Sequence, residues 1–172
     1  MNFRRLALLT GPLLLLWALQ TEVNHLLSSR QLFFFAGGLH VAFIALTQPF
    51  GPGLAAVLLG GLLCDAATPV AFGTQAALSG LAHNIIFRMR DRLPKDDAVA
   101  ATLLVLFTNF GLFLALGALL SPGGPAAWPR LAADLVCSQV IVALATPWFF
   151  SLQGGLIALV ETALALRTER LR

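Results

Sequence analysis

The chain has 172 residues, of which 58% are hydrophobic and only 11% are charged. A soluble domain carries roughly 25% charged residues, so this chain lacks the polar residues needed to face water on every side. Its mean hydropathy of +0.85 and its repeated apolar runs of helix length predict an all-α membrane protein. Nucleic-acid binding is excluded, because the cations form no basic face on a soluble domain. Cys64 and Cys137 lack metal-ligand spacing and are predicted to be packing residues.

The apolar runs predict a compact bundle of six transmembrane helices in a single membrane domain, 1–172. The first span is expected to stay uncleaved, because no small-x-small site follows its apolar run. Residues 22–30 are expected to form a polar connector, and Gln48–Gly53 a tight turn, since two prolines and two glycines disfavour a helix. An amphipathic tail helix, 152–171, is expected to lie on the membrane surface or to continue the sixth span. The predicted spans are residues 6–21, 31–47, 52–68, 71–87, 98–120 and 131–149.

The positions of lysine and arginine predict the orientation of the bundle. Cytoplasmic segments of membrane proteins are enriched in these residues. With both termini in the cytoplasm, nine of the 11 lie on the cytoplasmic side, and only Arg30 and Arg130 lie outside. This orientation places Asp65 near the outer end of the third span. The predicted cytoplasmic anchors after the fourth span are Arg88, Arg90, Arg92 and Lys95.

Asp65 is a carboxylate at the end of an apolar helix, where it needs a hydrogen-bonding partner. A charged group in hydrocarbon is costly unless it is paired or reaches water. The fourth helix follows the Pro69–Gly73 turn directly, and the amides at a helix N-terminus carry a positive partial charge. Asp65 is therefore predicted to cap or tether the outer end of the third helix, and its carboxylate to accept backbone hydrogen bonds from residues 71–74, where the fourth helix begins. Asp96 and Asp97 are predicted to stabilise the N-terminus of the fifth helix in the same way.

Several polar side chains lie inside the predicted spans, and lipid offers them no hydrogen bonds. They are expected to face the bundle interior or a partner. Interhelical hydrogen bonds are the simplest role, and a ligand pocket or a contact with a partner's helix are the alternatives. An ion pair with Arg130, one helical turn away, is the simplest explanation of Asp134. The candidate intramembrane contacts are His40, His83, Asn84, Asn109, Asp134 and Ser138.

No catalytic, cofactor-binding or metal-binding residue is predicted. The sequence has no HExxH zinc signature, no Gly-rich phosphate loop and no nucleophile with a base at a recognisable spacing. The one enzymatic alternative pairs Asp65 with His83 as a general acid and base.

The third and fourth spans carry the stretch Gly61-Leu62-Leu63-Cys64-Asp65, which is followed by Pro69 and by Phe72-Gly73. Together with six short spans, a basic loop and a basic tail, this stretch resembles the MreD family, the rod shape-determining membrane proteins of bacteria. The resemblance covers essentially the whole chain. It implies a six-helix bundle similar to the substrate-binding subunit of energy-coupling-factor transporters. The family-motif residues are Gly61, Asp65, Pro69 and Gly73.

The resemblance also implies a non-enzymatic role, without a cofactor, in the bacterial inner membrane. The implied partners are an MreC-like protein and other membrane proteins of the elongation machinery, which couples MreB filaments to peptidoglycan synthesis and maintains rod shape. Thr47–Gly53 departs from the family pattern, because it lacks the basic residue often found there. A substrate-binding membrane subunit of a vitamin or small-molecule transporter is the alternative, and its pocket would contain His40, His83, Asn84 and Asn109.

Overall fold

The computed structural model describes residues 3–66, 70–92, 97–120 and 128–169, with side chains for residues 11, 12, 14–159 and 162 of these ranges. The described residues are helical apart from short connections and contain no strand, so the predicted all-α class is confirmed. Single turns of 3-10 helix lie at Ser28–Arg30 and Arg90–Arg92. The helices are α1 (Phe3–Leu27), α2 (Gly37–Thr47), α3 (Phe50–Asp65), α4 (Thr74–Met89), α5 (Ala98–Leu120) and α6 (Trp128–Glu169).

The short helix α2 lies at the centre of the bundle. It packs against α3, α4, α5 and α6, while α1 packs against α3, and α3 and α4 form a close hairpin. Every residue of α2 from Gly38 to Ala45 is buried. The ring of Phe43 meets the rings of Phe149 and Phe150 on α6 edge to face, with centroids 5.7 and 5.1 Å apart. An apolar helix of only 11 residues is thus enclosed by its neighbours.

Two helices in the described part of the chain are long and apolar enough to cross a membrane. They are α5 and the stretch Trp128–Leu159 of α6, and α2 and α3 are shorter apolar helices. Large apolar side chains also point outward at every fourth position of α6. This row, which we call the α6 stripe, consists of Val136, Val140, Leu144 and Trp148, with exposures of 62%, 55%, 77% and 77%.

The predicted tight turn at Gln48–Gly53 is wrong, because α3 already begins at Phe50. Pro49 is extended and supplies the N-cap of the helix. Pro52 lies in the first turn, where a backbone N–H has no intrahelical partner and its loss costs nothing. The prolines therefore start the helix instead of breaking it.

Three helix bounds also differ from the prediction. The first helix continues to Leu27, through most of the predicted connector. The second begins only at Gly37, because residues 32–36 have no regular secondary structure. The sixth helix runs without a break to Glu169, so of the two alternatives for the tail the structure has the continuation of the sixth span, and the side chain of Gln153 is buried there.

Candidate functional site

Asp65 is buried at the end of α3, and its carboxylate caps the N-terminus of α4. The Oδ2 atom accepts hydrogen bonds from the N–H groups of Gly73 and Ala76, at 3.0 and 3.2 Å. The Oδ1 atom accepts one from Gln75 N–H at 2.8 Å. The predicted hydrogen bonds to the start of the fourth helix are present, although two of the donors lie just beyond residues 71–74 and the helix that is capped is α4, not α3. Both carboxylate oxygens are therefore engaged by backbone donors at the positive end of a helix dipole.

Two glycines make this cap possible. A Cβ atom on Gly61 would fall on the backbone of Ala76, so the α3–α4 hairpin requires a residue without a side chain there. Gly73 has a φ of 95°, a left-handed conformation that is readily adopted by glycine. Three of the four motif residues thus act together around one carboxylate. Pro69, the fourth, lies outside the described residues.

Residues 32–36, which we call the irregular segment, are held by side chains from α1 and α6. Buried backbone N–H groups need partners, and outside a helix these must come from elsewhere. Here four successive N–H groups each donate to a different side chain. Phe33, Phe34, Phe35 and Ala36 donate in turn to Asp134 Oδ1 (2.8 Å), Asn24 Oδ1 (2.6 Å), Ser138 Oγ (3.1 Å) and Gln20 Oε1 (3.1 Å).

Two asparagines complete the hydrogen bonding of this region with both ends of their side-chain amides. Asn24 Nδ2 donates to the carbonyl oxygen of Phe34 at 2.9 Å. Asn109 of α5, which is fully buried, donates to the carbonyl oxygen of Phe35 at 3.0 Å and accepts from Gly38 N–H at 3.1 Å. An asparagine amide offers the same donor and acceptor types as a peptide group, so it replaces the missing backbone partner.

The sequence identified three of these five side chains. Asn109, Asp134 and Ser138 were expected to form interhelical hydrogen bonds, and the structure brings them together on the irregular segment. The proposed ion pair of Asp134 is wrong, because its carboxylate accepts from Phe33 N–H and forms no ion pair with Arg130 among the described residues.

Gln20 and Asn24 were missed, since the sequence assigned them to the end of the first span and to the connector. Their spacing of four residues could have indicated that the two side chains act together. On a longer first helix they lie on one face, as Asp134 and Ser138 do on α6.

The two candidate histidines have different surroundings. Both side chains are buried, and neither ring nitrogen of either one has a hydrogen-bond partner among the described residues. His83 packs against the rings of Phe50 and Phe87, with centroids 5.7 and 5.9 Å away. His40 forms part of the wall of a cavity.

His83 is also distant from Asp65. A Cβ atom on Gly53 would lie 2.8 Å from His83 Nε2, so the imidazole sits at the start of α3. Asp65 ends the same helix, roughly 18 Å further along its axis at 1.5 Å per residue. The two side chains do not meet, and the acid–base pair is not formed. No group of three or more His, Cys, Asp or Glu residues suited to a metal ion occurs in the described ranges.

The predicted cytoplasmic anchors that the structure describes, Arg88, Arg90 and Arg92, lie at the end of α4 that is remote from Asp65. Arg90 donates to the carbonyl oxygen of Gln48 at 2.9 Å, and its guanidinium carbon lies 3.8 Å from the ring centroid of Phe87. Arg88 Nε donates to Asn84 Oδ1 at 3.2 Å on the exposed side of α4. Asn84 thus bonds to Arg88 on its own helix and forms no interhelical hydrogen bond among the described residues, while a contact with a partner's helix stays a prediction. Arg92 is exposed, and Lys95 lies outside the described residues.

A cavity of about 500 Å³ lies in the half of the bundle that contains Asp65. Protein interiors hold few voids larger than a water molecule, and ligand pockets measure roughly 300–1,000 Å³. The walls come from all six helices and the irregular segment. They are mainly aliphatic and aromatic, and include Leu16, Trp17, Phe113, Leu116 and Leu131. The size and lining are those of a small-molecule pocket.

No protein-family model, no curated protein and no solved structure matches this chain. The resemblance to the MreD family therefore rests on the pattern between Gly61 and Gly73 and on the arrangement of apolar and basic segments. The similarity of fold to energy-coupling-factor transporter subunits likewise stays a prediction.

Proposed function

We propose that this chain is a multi-pass protein of the bacterial inner membrane, with six spans and both termini in the cytoplasm. The apolar helices α5 and α6 support a membrane location. The α6 stripe supports it further, because soluble monomers rarely expose contiguous apolar surfaces of this kind. The cluster of Arg88, Arg90 and Arg92 at one end of α4 supports a cytoplasmic position for that end.

Within that membrane, the proposed function is an MreD-like, non-enzymatic component of the peptidoglycan-elongation machinery that partners an MreC-like protein. The observation that carries the proposal is the engagement of Asp65 by three backbone donors. A carboxylate whose two oxygens are both occupied is poorly available as a catalytic base. It serves to shape the hairpin that contains the family-like motif, as expected for a scaffold protein.

Depletion of the protein in a rod-shaped host tests this function. Rods should become round, and a copy with the original sequence should restore them. The Asp65→Ala variant should restore shape only as far as folded protein accumulates in the membrane. Gly51→Ala is the matched control, because Gly51 is exposed and a Cβ atom there would meet nothing within 4 Å. Unchanged cell shape together with an unchanged pattern of wall insertion would overturn the proposal.

A second candidate, a substrate-binding transporter subunit, is favoured by the cavity alone. Of its four predicted pocket residues, only His40 lines the cavity. Asn109 donates to the irregular segment at Phe35, and Asn84 accepts from Arg88. His83 packs against Phe50 at the start of α3. A vitamin that co-purifies with the protein, while depletion leaves cell shape unchanged, would favour this candidate over the first.

A further inference from the structure

His40 is the buried polar group that the fold leaves unsatisfied beside the cavity. Its side chain is 2% exposed, and neither ring nitrogen is bonded to a described residue. A neutral imidazole has one donor and one acceptor, and the large majority of buried polar side-chain atoms in proteins have a partner. His40 forms part of the cavity wall, and because both ring nitrogens are buried, a partner placed in the cavity would bond to one of them after a turn of the ring.

The charged residues that line the cavity limit which polar group a bound ligand can carry. Among the described residues, the lining contains one acid, Asp134, and neither lysine nor arginine. Asp134 already accepts a hydrogen bond from Phe33 N–H. An anionic group would be desolvated beside this carboxylate without a compensating cation, which is unfavourable. A hydroxyl group suits the site, because it is neutral and can both donate to and accept from an imidazole.

The apolar residues that line the cavity limit the size and chemistry of the remaining part of the ligand. Leu16, Phe113, Leu116 and Leu131 surround a volume of about 500 Å³, which suits a hydrocarbon chain or a small ring system. Glycines on three helices, Gly37, Gly60 and Gly117, also line this volume.

We propose that the cavity binds a neutral, mainly apolar molecule with a hydroxyl group, of the class of long-chain alcohols, and that His40 holds the hydroxyl. This ligand site goes beyond the proposed scaffold function. It depends on that function only for the membrane, from which such a molecule would enter.

Photolabelling of the purified protein in phosphatidylcholine nanodiscs tests the site. The probe is a long-chain alcohol with a diazirine in its chain, and mass spectrometry locates the labelled residues. Labelling should concentrate on cavity residues such as Leu16 and Leu116. His40→Phe should reduce it about fivefold, the loss expected for one neutral hydrogen bond. His83→Phe is the matched control, because His83 is equally buried and unpartnered but lies outside the cavity.

A second pair of variants tests the volume of the site. Gly117 lines the cavity, and a Cβ atom there would make only an ordinary contact, 3.6 Å from Leu131. Gly117→Leu should therefore fold and should reduce labelling by filling the space. Gly111 lies on the same helix, is exposed and has nothing within 4 Å of an added Cβ, so Gly111→Leu should label like the original protein. Size-exclusion profiles establish beforehand that each variant is folded.

Three results would overturn the proposal. Labelling spread over outward-facing residues such as Phe107 would show that the probe reads only the surrounding lipid. Equal labelling by a diazirine fatty acid of the same chain length would contradict the neutral head group. Full labelling of His40→Phe would remove the role of His40. Because this experiment uses purified protein, its failure is distinguishable from failure of the cell-shape experiment.

Discussion

Asp65 and Asn109 satisfy backbone groups at two places in the bundle, and they differ in how far along the chain their partners lie. Asp65 accepts from Gly73, Gln75 and Ala76, which are 8 to 11 residues away. Asn109 bonds to Gly38 and Phe35, which are 71 and 74 residues away. The first arrangement belongs to one hairpin. The second exists only when α5 has packed against α2.

This difference determines how each region responds to damage. In the hairpin, one carboxylate accepts hydrogen bonds from three backbone N–H groups, and all three lie close to it in the sequence. In the irregular segment, five side chains from three helices share the backbone groups of residues 33–36 and 38. Losing any one of them leaves a buried or partly buried backbone group without a partner. We therefore expect the segment to report on assembly of the whole bundle, and the hairpin to report on its own local geometry.

The largest effect is expected from Asn109→Leu, which breaks the long-range arrangement. Two buried backbone groups lose their partners, at about 1–3 kcal/mol each, so the variant should lose about 2–6 kcal/mol of stability or fail to fold. The thermal unfolding midpoint in detergent measures the loss. Asn84→Leu is the control, because Asn84 bonds only to Arg88 on the exposed side of α4, and it should change the midpoint little. Equal midpoints for the two variants would contradict the role given to Asn109.

A smaller effect is expected from Asp65→Ala in the hairpin. Removing the buried carboxylate also removes its desolvation cost, which offsets part of the lost hydrogen bonding, so a loss of about 2–3 kcal/mol is expected. Asp97→Ala is the comparison, because Asp97 Oδ1 accepts from Val99 N–H at an exposed helix start, at 2.8 Å. An exposed cap is worth about 1 kcal/mol. If urea titration gave the two variants the same midpoint, burial of Asp65 would have no energetic consequence.

The smallest effect is expected from Gly61→Ala, which leaves the hydrogen bonds in place and adds one methyl group. The added Cβ would press on the backbone of Ala76, and overpacking of this kind costs about 1–3 kcal/mol. Gly51→Ala adds the same group at an exposed site of the same helix, and should leave the unfolding midpoint unchanged or slightly higher. A midpoint of Gly61→Ala at the level of Gly51→Ala would mean that the hairpin can open at no cost.

The same difference explains what the sequence could predict. The cap formed by Asp65 was predictable because a carboxylate, a turn and a helix start follow one another within a dozen residues. Asp97 was predictable as a cap for the same reason, while Asp96 lies outside the described residues. The sequence predicts helix for the irregular segment, because Phe33-Phe34-Phe35 belongs to the apolar run 31–47, which contains no proline.

The partners of the irregular segment explain why the prediction failed there. Gln20, Asn24, Asn109, Asp134 and Ser138 are spread over more than a hundred residues. Hydrophobic periodicity carries no information on which of them converge, since that depends on the packing of three helices. Their polarity indicated that they face inward, but it did not indicate that they replace the hydrogen bonds of a helix.

We expect the side-chain hydrogen bonds of the irregular segment to protect its backbone as well as the hydrogen bonds of a helix protect theirs. Amide hydrogen exchange of the purified protein, followed by mass spectrometry, measures this directly. The amides of Phe33 to Ala36 should be protected for as long as those of the buried helix α2, and Asn109→Leu should abolish this protection. If these amides exchanged at the rate of the exposed turn Ser28–Arg30, the side chains would not hold the irregular segment in place.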